Sequence, residues 1–442
     1  HLFSSAASDV YKRQGKARRE TDTMDTFFDS SWYFLRFADS SNSSQPFDLD
    51  KVNYWLDGGV DLYIGGIEHA VMHLLYARFF TKATRDLGMN SVGEPFGRLV
   101  CQGMLNAPAP FCVECNSEYH VENFGADCPN CGAGLTTRSV KMGKSLGNTV
   151  SPGEMVTKFG ADTVRLFILF GANPEAGMDW SDTALESSSR QMNQIFEAFK
   201  SLEGAFQNPK DIDSWLLARA LDNQTRWIDA MESVSLREGV MISHYEMLSD
   251  WQWYRRRGGL DRETIQRFLC IWSEMLAPAT PHIAEEFWSS LGGTGLLASN
   301  TLSDLSDLSN SDWSVILACE DYLREFIDTA RNLRSLAEKH SNSPLSRVVV
   351  QVASKWKSEL ASDAINLAST DFDFKSQGQE YIRKLPIFEN ETMRGEIFQL
   401  WMTLTTGSKK KRGKIHTWSN SQKTILLNYL DEVEIINHNS EF

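Results

Sequence analysis

The sequence predicts an α/β region, then an all-α bundle, then a small α/β tail, on three observations. Between Asp61 and Leu87 an apolar run, a glycine pair and an uninterrupted helix-forming stretch follow one another, which is the order of strand, tight turn and helix in an α/β fold. Between Thr183 and Leu291 the apolar residues recur with helical period. At 442 residues, with 42% hydrophobic and 23% charged content, the chain can bury more than one core and is unlike a disordered polymer. No apolar run approaches the roughly 18 residues of a membrane span, so a soluble chain with no membrane partner is expected.

Lysine and arginine number 44 against 58 acids, a net charge of −14. A polyanionic partner would therefore have to be met by local patches, not by a long-range field. Four of the seven cysteines form two CxxC pairs, and Cys101, Cys270 and Cys319 are scattered. That is no secreted disulfide framework in so long a chain, and a reducing, cytoplasmic compartment is expected. The first residues show neither a signal-peptide nor a transit pattern. Residues 1–17, whose SSAASDVYKRQ stretch resembles sequencing-adaptor read-through, are expected to be a non-native leader on a fragment.

Taken in order, Asp61-Leu62-Tyr63-Ile64 suits a short strand, Gly65-Gly66 a tight turn, and Glu68 to Leu87 one helix ended by Gly88. Such a helix start offers free N–H groups to a ligand. Arg98 to Cys101 suits a second strand, and 108–139 is an insert punctuated by glycine and cysteine, too poor in apolar residues for a core of its own. Ser151-Pro152-Gly153-Glu154 has the capping serine, first-turn proline and glutamate of a helix start. Ile265, Phe268, Leu269, Trp272, Met275 and Leu276 share one helical face. Ala298 to Asp312 reads as a linker before a helix, Val315 to His340, and a β-branched strand, Arg347 to Val352. No repeat of 20 to 50 residues is present.

Three groups of residues could carry chemistry. Cys112, Cys115, Cys128 and Cys131 make two hooks 12 residues apart, the spacing that presents four thiolates to a structural Zn²⁺. A degenerate knuckle or a redox pair is the competing reading. His69 and His73 stand four apart on the expected helix; a zinc hydrolase would need a glutamate directly after the first histidine, where Ala70 stands, so pocket-lining is the better reading beside plain core histidines. Lys141-Met142-Gly143-Lys144-Ser145 brings two ammonium groups and free N–H donors to one loop, which can close on a polyphosphate or be merely a basic surface loop.

Several motifs, in order, resemble leucyl-tRNA synthetase. They are Arg19 to Phe27, Asp29-Ser30-Ser31-Trp32-Tyr33, Tyr63 to Tyr76, Lys141 to Ser145, and Phe159 to Phe167, with Ala277-Pro278 and Pro281 to Trp288 similar to the anticodon-binding helices of class I synthetases for aliphatic amino acids. The resemblance is firm over Arg18 to Leu291 and weak in the tail. It implies the second half of a Rossmann-type catalytic domain over 18–182 with the zinc-knuckle insert, a helical anticodon-binding domain over 183–312 and a C-terminal α/β domain over 313–442.

By the same resemblance, Phe27, Ser30, Tyr33, His69 and His73 form the leucine pocket. Gly65 and Gly66 stand among the ATP-binding residues, Glu68 after them holds the ATP ribose, Gln102, Gly103 and Met104 meet the adenine, and Lys141 and Lys144 steady the triphosphate. The implied reaction joins L-leucine to tRNA-Leu through leucyl-adenylate, using ATP with Mg²⁺; the alternatives are a non-catalytic tRNA-binding protein and a zinc hydrolase. Three departures stand out: Gly143 replaces the usual loop serine, the four-cysteine insert stands where many members carry a leucine-specific domain, and no HIGH motif or editing domain precedes Thr21. The chain alone is therefore expected to be inactive, with a separate N-terminal half as a candidate partner. Arg255-Arg256-Arg257 and the lysine run from Lys409 to Lys414 are the dense basic patches, and Trp251 and Trp253 beside the arginines are expected in a core.

Overall fold

The structure is a computed structural model that describes residues 21–305, 313–340 and parts of 356–406. The expected leader, the strand at 347–352, the lysine run and the end of the linker lie outside the described residues. The chain divides into two compact units: one of 1–152 with 171–182, the other of 153–170 with 183–442.

The first unit opens with three short helices, α1 (Phe27–Ser30), α2 (Tyr33–Phe37) and α3 (Leu49–Trp55). Asp48 caps α3, its carboxylate accepting from the N–H groups of Asp50 and Lys51. Arg36 holds the loop between α2 and α3 by donating to the carbonyls of Ser40, Asn42 and Pro46. Phe34, Leu35, Val52 and Leu56 bury a small core with Ala77 and Val92.

Strand β1 (Tyr63–Gly66) pairs in parallel with β2 (Leu99–Gln102), Tyr63 opposite Leu99 and Gly66 opposite Gln102. Between them runs α4 (His73–Asp86), the crossover that parallel pairing requires. The expectation of one helix from Glu68 to Leu87 needs correction. Ile67–His69 is a separate 3-10 turn, and Met72, at φ −110° and ψ −98°, breaks the path before α4 begins. Neither glycine nor proline marks that break. Just before it, the His69 ring lies edge-on to Phe27 at 6.0 Å.

The insert grows from a second sheet. Strand β3 (Leu105–Cys112) lies between β4 (Ser117–Glu118) and β5 (Thr136–Lys141), both antiparallel to it, and β6 (Met178–Asp179) pairs with it in parallel. Gly103 joins β2 to β3 where a Cβ would collide with the carbonyl of Ala176, so only glycine fits.

The second unit is helical. Helices α5 (Pro152–Phe159) and α6 (Ala161–Gly171) precede α7 (Asp182–Lys200), α8 (Asp211–Glu232), α9 (Leu236–Val240), a π-helical turn at Met241–Glu246, α10 (Met247–Arg256), α11 (Arg262–Leu276), α12 (Pro281–Ser290) and α13 (Trp313–His340). Asp261 caps α11 by accepting from the Thr264 N–H. The predicted face of α11 is core: Ile265, Phe268, Leu269, Trp272 and Leu276 are fully buried with Trp215 and Leu216. Phe199 and Phe287 stack at 3.6 Å, and the Trp272 indole N–H donates to the Ser243 carbonyl at 2.6 Å. Trp251 and Trp253 are buried as expected. The described residues of the tail add α14 (Gly378–Arg383) and α15 (Arg394–Thr406), which bury Ile382, Ile397 and Trp401 in a small cluster.

Candidate functional site

In the first unit a cavity of about 280 Å³ opens where α1, α2, β1 and the start of α4 converge. Phe27, Ser30, Tyr33, His69 and His73, the five residues of the expected amino-acid pocket, all line it, beside Gly65 and Gly66. Four further lining residues, Tyr63, Leu74, Leu99 and Cys101, were not singled out from sequence. Tyr63 and Leu99 lie opposite each other in the β1–β2 register, and only the strand pairing brings them together.

Some polar groups of the wall are linked to one another, while His69 Nδ1 and His73 Nδ1 are buried without a hydrogen-bond partner among the described residues. The Tyr33 and Tyr63 hydroxyls are 2.7 Å apart, and the Tyr63 hydroxyl is 2.6 Å from His73 Nε2. Burial, with the neighbouring His69 as a smaller cause, holds the His73 pKa below the usual imidazole range. Burial and the Tyr33 contact push the Tyr63 phenol up, so it stays a protonated donor. The Tyr33 and Tyr63 hydroxyls and His73 Nε2 are engaged within the wall, so the cavity offers a ligand ring edges, aliphatic surface and the unpartnered imidazole nitrogens of His69 and His73.

Glu68 and Lys141 meet next to this cavity's glycine pair, Lys141 Nζ lying 3.3 Å from Glu68 Oε1. A hydrogen bond from its own backbone N–H and then the Lys141 ammonium hold the Glu68 carboxyl below its ordinary range. A Cβ on Gly66 would overlap the Glu68 carboxylate, so glycine is needed for the carboxylate to turn back over the strand. Lys141 is the last residue of β5, paired in register with Asn106. Lys144 is exposed in the turn beyond and has no ion-pair partner among the described residues. The turn itself is held by Asn148, which is buried. Its Oδ1 accepts from the Gly143 N–H at 2.9 Å while its Nδ2 donates to the Ala107 carbonyl at 3.3 Å. Gln102, Gly103 and Met104 lie at the end of β2 and the turn after it, tied to the 174–178 segment by Gly103 N–H to Pro174 O and Met178 N–H to Met104 O.

The four cysteines converge. Their sulfurs lie within 4.8 Å of one another, with Cys112 to Cys131 at 3.5 Å and Cys115 to Cys128 at 3.8 Å. A tetrahedron of sulfurs about 2.3 Å from a central Zn²⁺ has edges of about 3.8 Å, so the donor set fits that ion. Each hook ends in a left-handed residue, Asn116 at φ 49° and Gly132 at φ 73°. Burial pushes the Cys128 thiol up, but the Tyr119 hydroxyl and the N–H groups of Asn130 and Cys131 outweigh it and bring it down to about 6. Hydrogen bonding with Cys131, then burial, pushes Cys115 up to about 12.

In the helical unit, Arg255 and Arg256 lie over the Trp251 and Trp253 rings, each guanidinium carbon 5.6 Å from the ring centre. Arg257 pairs with Glu320 of α13 at 3.3 Å.

Comparison with known proteins shows what this chain is similar to. Residues 213–350 match the family model of the anticodon-binding domain of tRNA ligase. The similarity is to the class of tRNA ligases. Within it, the leucine–tRNA ligase of Synechococcus sp. (strain CC9605) is 41% identical over 299 residues, covering 64% of this chain and 34% of the relative. That of Fusobacterium nucleatum is 35% identical over 346 residues, covering 74% and 40%. A solved LeuRS–tRNA–LeuAMS ternary complex from Agrobacterium radiobacter K84 is similar with a TM-score of 0.52 at 30% identity, covering 66% of this chain and 35% of that one. The chain is thus a homologue of the leucine–tRNA ligases. It spans about a third of the length of these curated relatives.

Proposed function

We propose that this chain is the part of a leucine–tRNA ligase that holds the leucine side chain, the nucleotide and the tRNA, and that it acts with a first Rossmann half carrying the HIGH histidines. The observation that carries the reading is the convergence of Phe27, Ser30, Tyr33, His69 and His73 on one cavity beside the Glu68–Lys141 pair. The aromatic wall would take an isobutyl group, and Gly65 and Gly66 would let the nucleotide approach the strand. Glu68 would accept hydrogen bonds from the ribose hydroxyls, with Gln102, Gly103 and Met104 against the adenine.

Attack of the leucine carboxylate on the α-phosphorus expels pyrophosphate, and the charge building on the leaving group is what Lys144, and Lys141 once released from Glu68, would stabilise. The adenylate then passes its acyl group to a terminal tRNA hydroxyl, giving leucyl-tRNA and AMP. Mg²⁺ prefers oxygen ligands; the four-cysteine cluster is the one grouping of three or more ligand side chains among the described residues, so the ion would arrive on the phosphates. Zn²⁺ would sit in that cluster, every coordination position filled by protein, as a structural ion. The bundle, with Arg255 and Arg256, would meet the tRNA, and the relatives' role in translation points to the cytoplasm.

The test is leucine-dependent ATP–pyrophosphate exchange and leucylation of tRNA-Leu by the purified chain, alone and mixed with the N-terminal half of a related enzyme. Activity is expected only in the mixture. There, Lys144→Ala should lower exchange by on the order of 10², the scale of losing one preorganised charge contact. Tight tRNA binding with no activity in any mixture would select the non-catalytic reading instead, and full activity of the chain alone would overturn the division of labour.

A further inference from the structure

We infer that the four-cysteine knuckle is a clamp on the lysine loop, and that Val121 is its point of contact. The inference rests on the proposed zinc site and on the connection between two features that the sequence presents as separate. The loop from Met142 to Asn148 is held from two sides. Asn148 grips it from the sheet below. From the knuckle side, the Val121 N–H donates to the Leu146 carbonyl at 2.9 Å. Next to that bond the His120 ring rests on Gly147, at φ 67°, in the space a Cβ would fill.

The knuckle end of this contact leads to the thiols in one step. Tyr119, two residues before Val121, donates its backbone N–H to Pro110 O at 2.9 Å and lays its hydroxyl 3.1 Å from Cys128 Sγ. Asn130, within the second hook, donates to that same hydroxyl at 3.0 Å, which leaves the phenolic proton for the sulfur. Hydrogen bonds of this kind orient metal ligands, and here the orienting residue sits on the segment that grips the loop. The main core clusters contain none of the insert's residues, so the position of Tyr119 to Val121 depends on the β3 pairing and on whatever gathers the four sulfurs. Metal in the knuckle would therefore fix the resting position of Lys144, which lies between Gly143 and Leu146.

Hydrogen–deuterium exchange of the 142–148 amides in the full chain tests this, with zinc content measured on every sample. The first arm compares zinc-loaded protein with protein stripped by a chelator. The second compares Val121→Pro with Val121→Ala, both zinc-loaded. Proline removes only the donor, because Val121 opens the 3-10 turn at 121–123 and His120, at φ −59° and ψ 146°, already has the backbone a following proline requires. Stripping and Val121→Pro should each speed exchange at Gly143, Leu146 and Gly147 by roughly 3- to 10-fold, the scale of one net hydrogen bond. Val121→Ala should change nothing. Unaltered loop exchange after zinc is demonstrably removed, or in Val121→Pro, overturns the clamp. Protein that never holds zinc overturns the metal reading instead, and the Val121→Pro arm then decides the clamp by itself.

Discussion

The outer surface of α4 and the inner surface of α11 are built from the same kinds of side chain and end in opposite environments. On α4 and the turn before it, Val71 is 80% exposed, Phe79 71% and Leu75 58%, whereas on α11 Ile265, Phe268, Leu269 and Trp272 have no exposure at all. The inner face of α11 is spent within the bundle. The α/β unit has kept apolar side chains uncovered, Leu75 and Phe79 one turn apart on α4 and Val71 in the turn before it, next to a two-stranded sheet. Contiguous apolar surface of this kind marks a place where another element packs. The difference teaches that the two units should answer to mutation in opposite ways, the bundle through its own stability and the α/β unit through what it can assemble with.

The largest effect sharpens the contrast by removing the metal. Structural zinc contributes on the order of 10 kcal/mol to small domains that fold around it, and the insert has little else. Cys128→Ser should therefore abolish zinc in protein purified without added metal and unfold 108–139, while the melting of the helical unit stays put. Equal zinc in wild type and variant would end the knuckle assignment. Next comes the bundle core. Trp272→Ala removes a fully buried indole and its bond to Ser243, and should cost about 3 to 5 kcal/mol in urea unfolding followed by tryptophan fluorescence. Phe79→Ser, a change of similar size on the open face, should stay within about 0.5 kcal/mol. A comparable loss from both would break the comparison.

Acid should also separate the units. His244 lies fully buried in the bundle, between Ser243 Oγ at 2.9 Å and Thr280 Oγ1 at 3.0 Å, and burial brings its pKa down to about 3. The unfolded chain takes up a proton near pH 6.5, which the folded bundle refuses until about pH 3. Stability is thus full above the unfolded value and falls as pH drops through that window, by at most about 1.4 kcal/mol per unit. Urea midpoints of the bundle at pH 7, 5.5 and 4.5 should fall in order, and His244→Gln should flatten the slope. A slope unchanged by that substitution would assign the acid sensitivity elsewhere.

What the sequence made legible follows from how local each signal is. The cysteine hooks are complete in a run of 20 residues, and their spacing carries the cluster. Trp272 and its neighbours repeat with the helix, so the core face of α11 could be read directly. The break at Met72 carries no glycine or proline and could not be read, because nothing local in the sequence marks it. Tyr63 and Leu99 were invisible as pocket residues for a similar reason: their shared cavity exists only once two strands 36 positions apart lie in register. Tyr119 and Asn148 carry no sequence signal, because a tyrosine and an asparagine in loops have no pattern, only partners.

The smallest expected effect tests the pocket wall itself. Apolar cavities separate side chains that differ by one methylene by only about 1 to 3 kcal/mol, so leucine can be told from methionine or isoleucine only if the wall keeps its shape. The Tyr33–Tyr63–His73 chain fixes three rings with two hydrogen bonds, and Tyr63 is the member that takes part in both. Tyr63→Phe keeps the ring and its stack on Phe96 at 3.9 Å but leaves the Tyr33 hydroxyl and His73 Nε2 without each other's link. Each loosened contact is worth about 1 kcal/mol, so in the reconstituted ligase the Michaelis constant for leucine should rise about 5- to 30-fold and that for ATP should hardly move. Tyr33→Phe removes only the terminal hydroxyl and should cost less, whereas Tyr33→Ala opens the cavity and should cost more. An ATP constant that rose in step with that for leucine would mean that the wall serves the nucleotide, and the pocket would have to be reassigned.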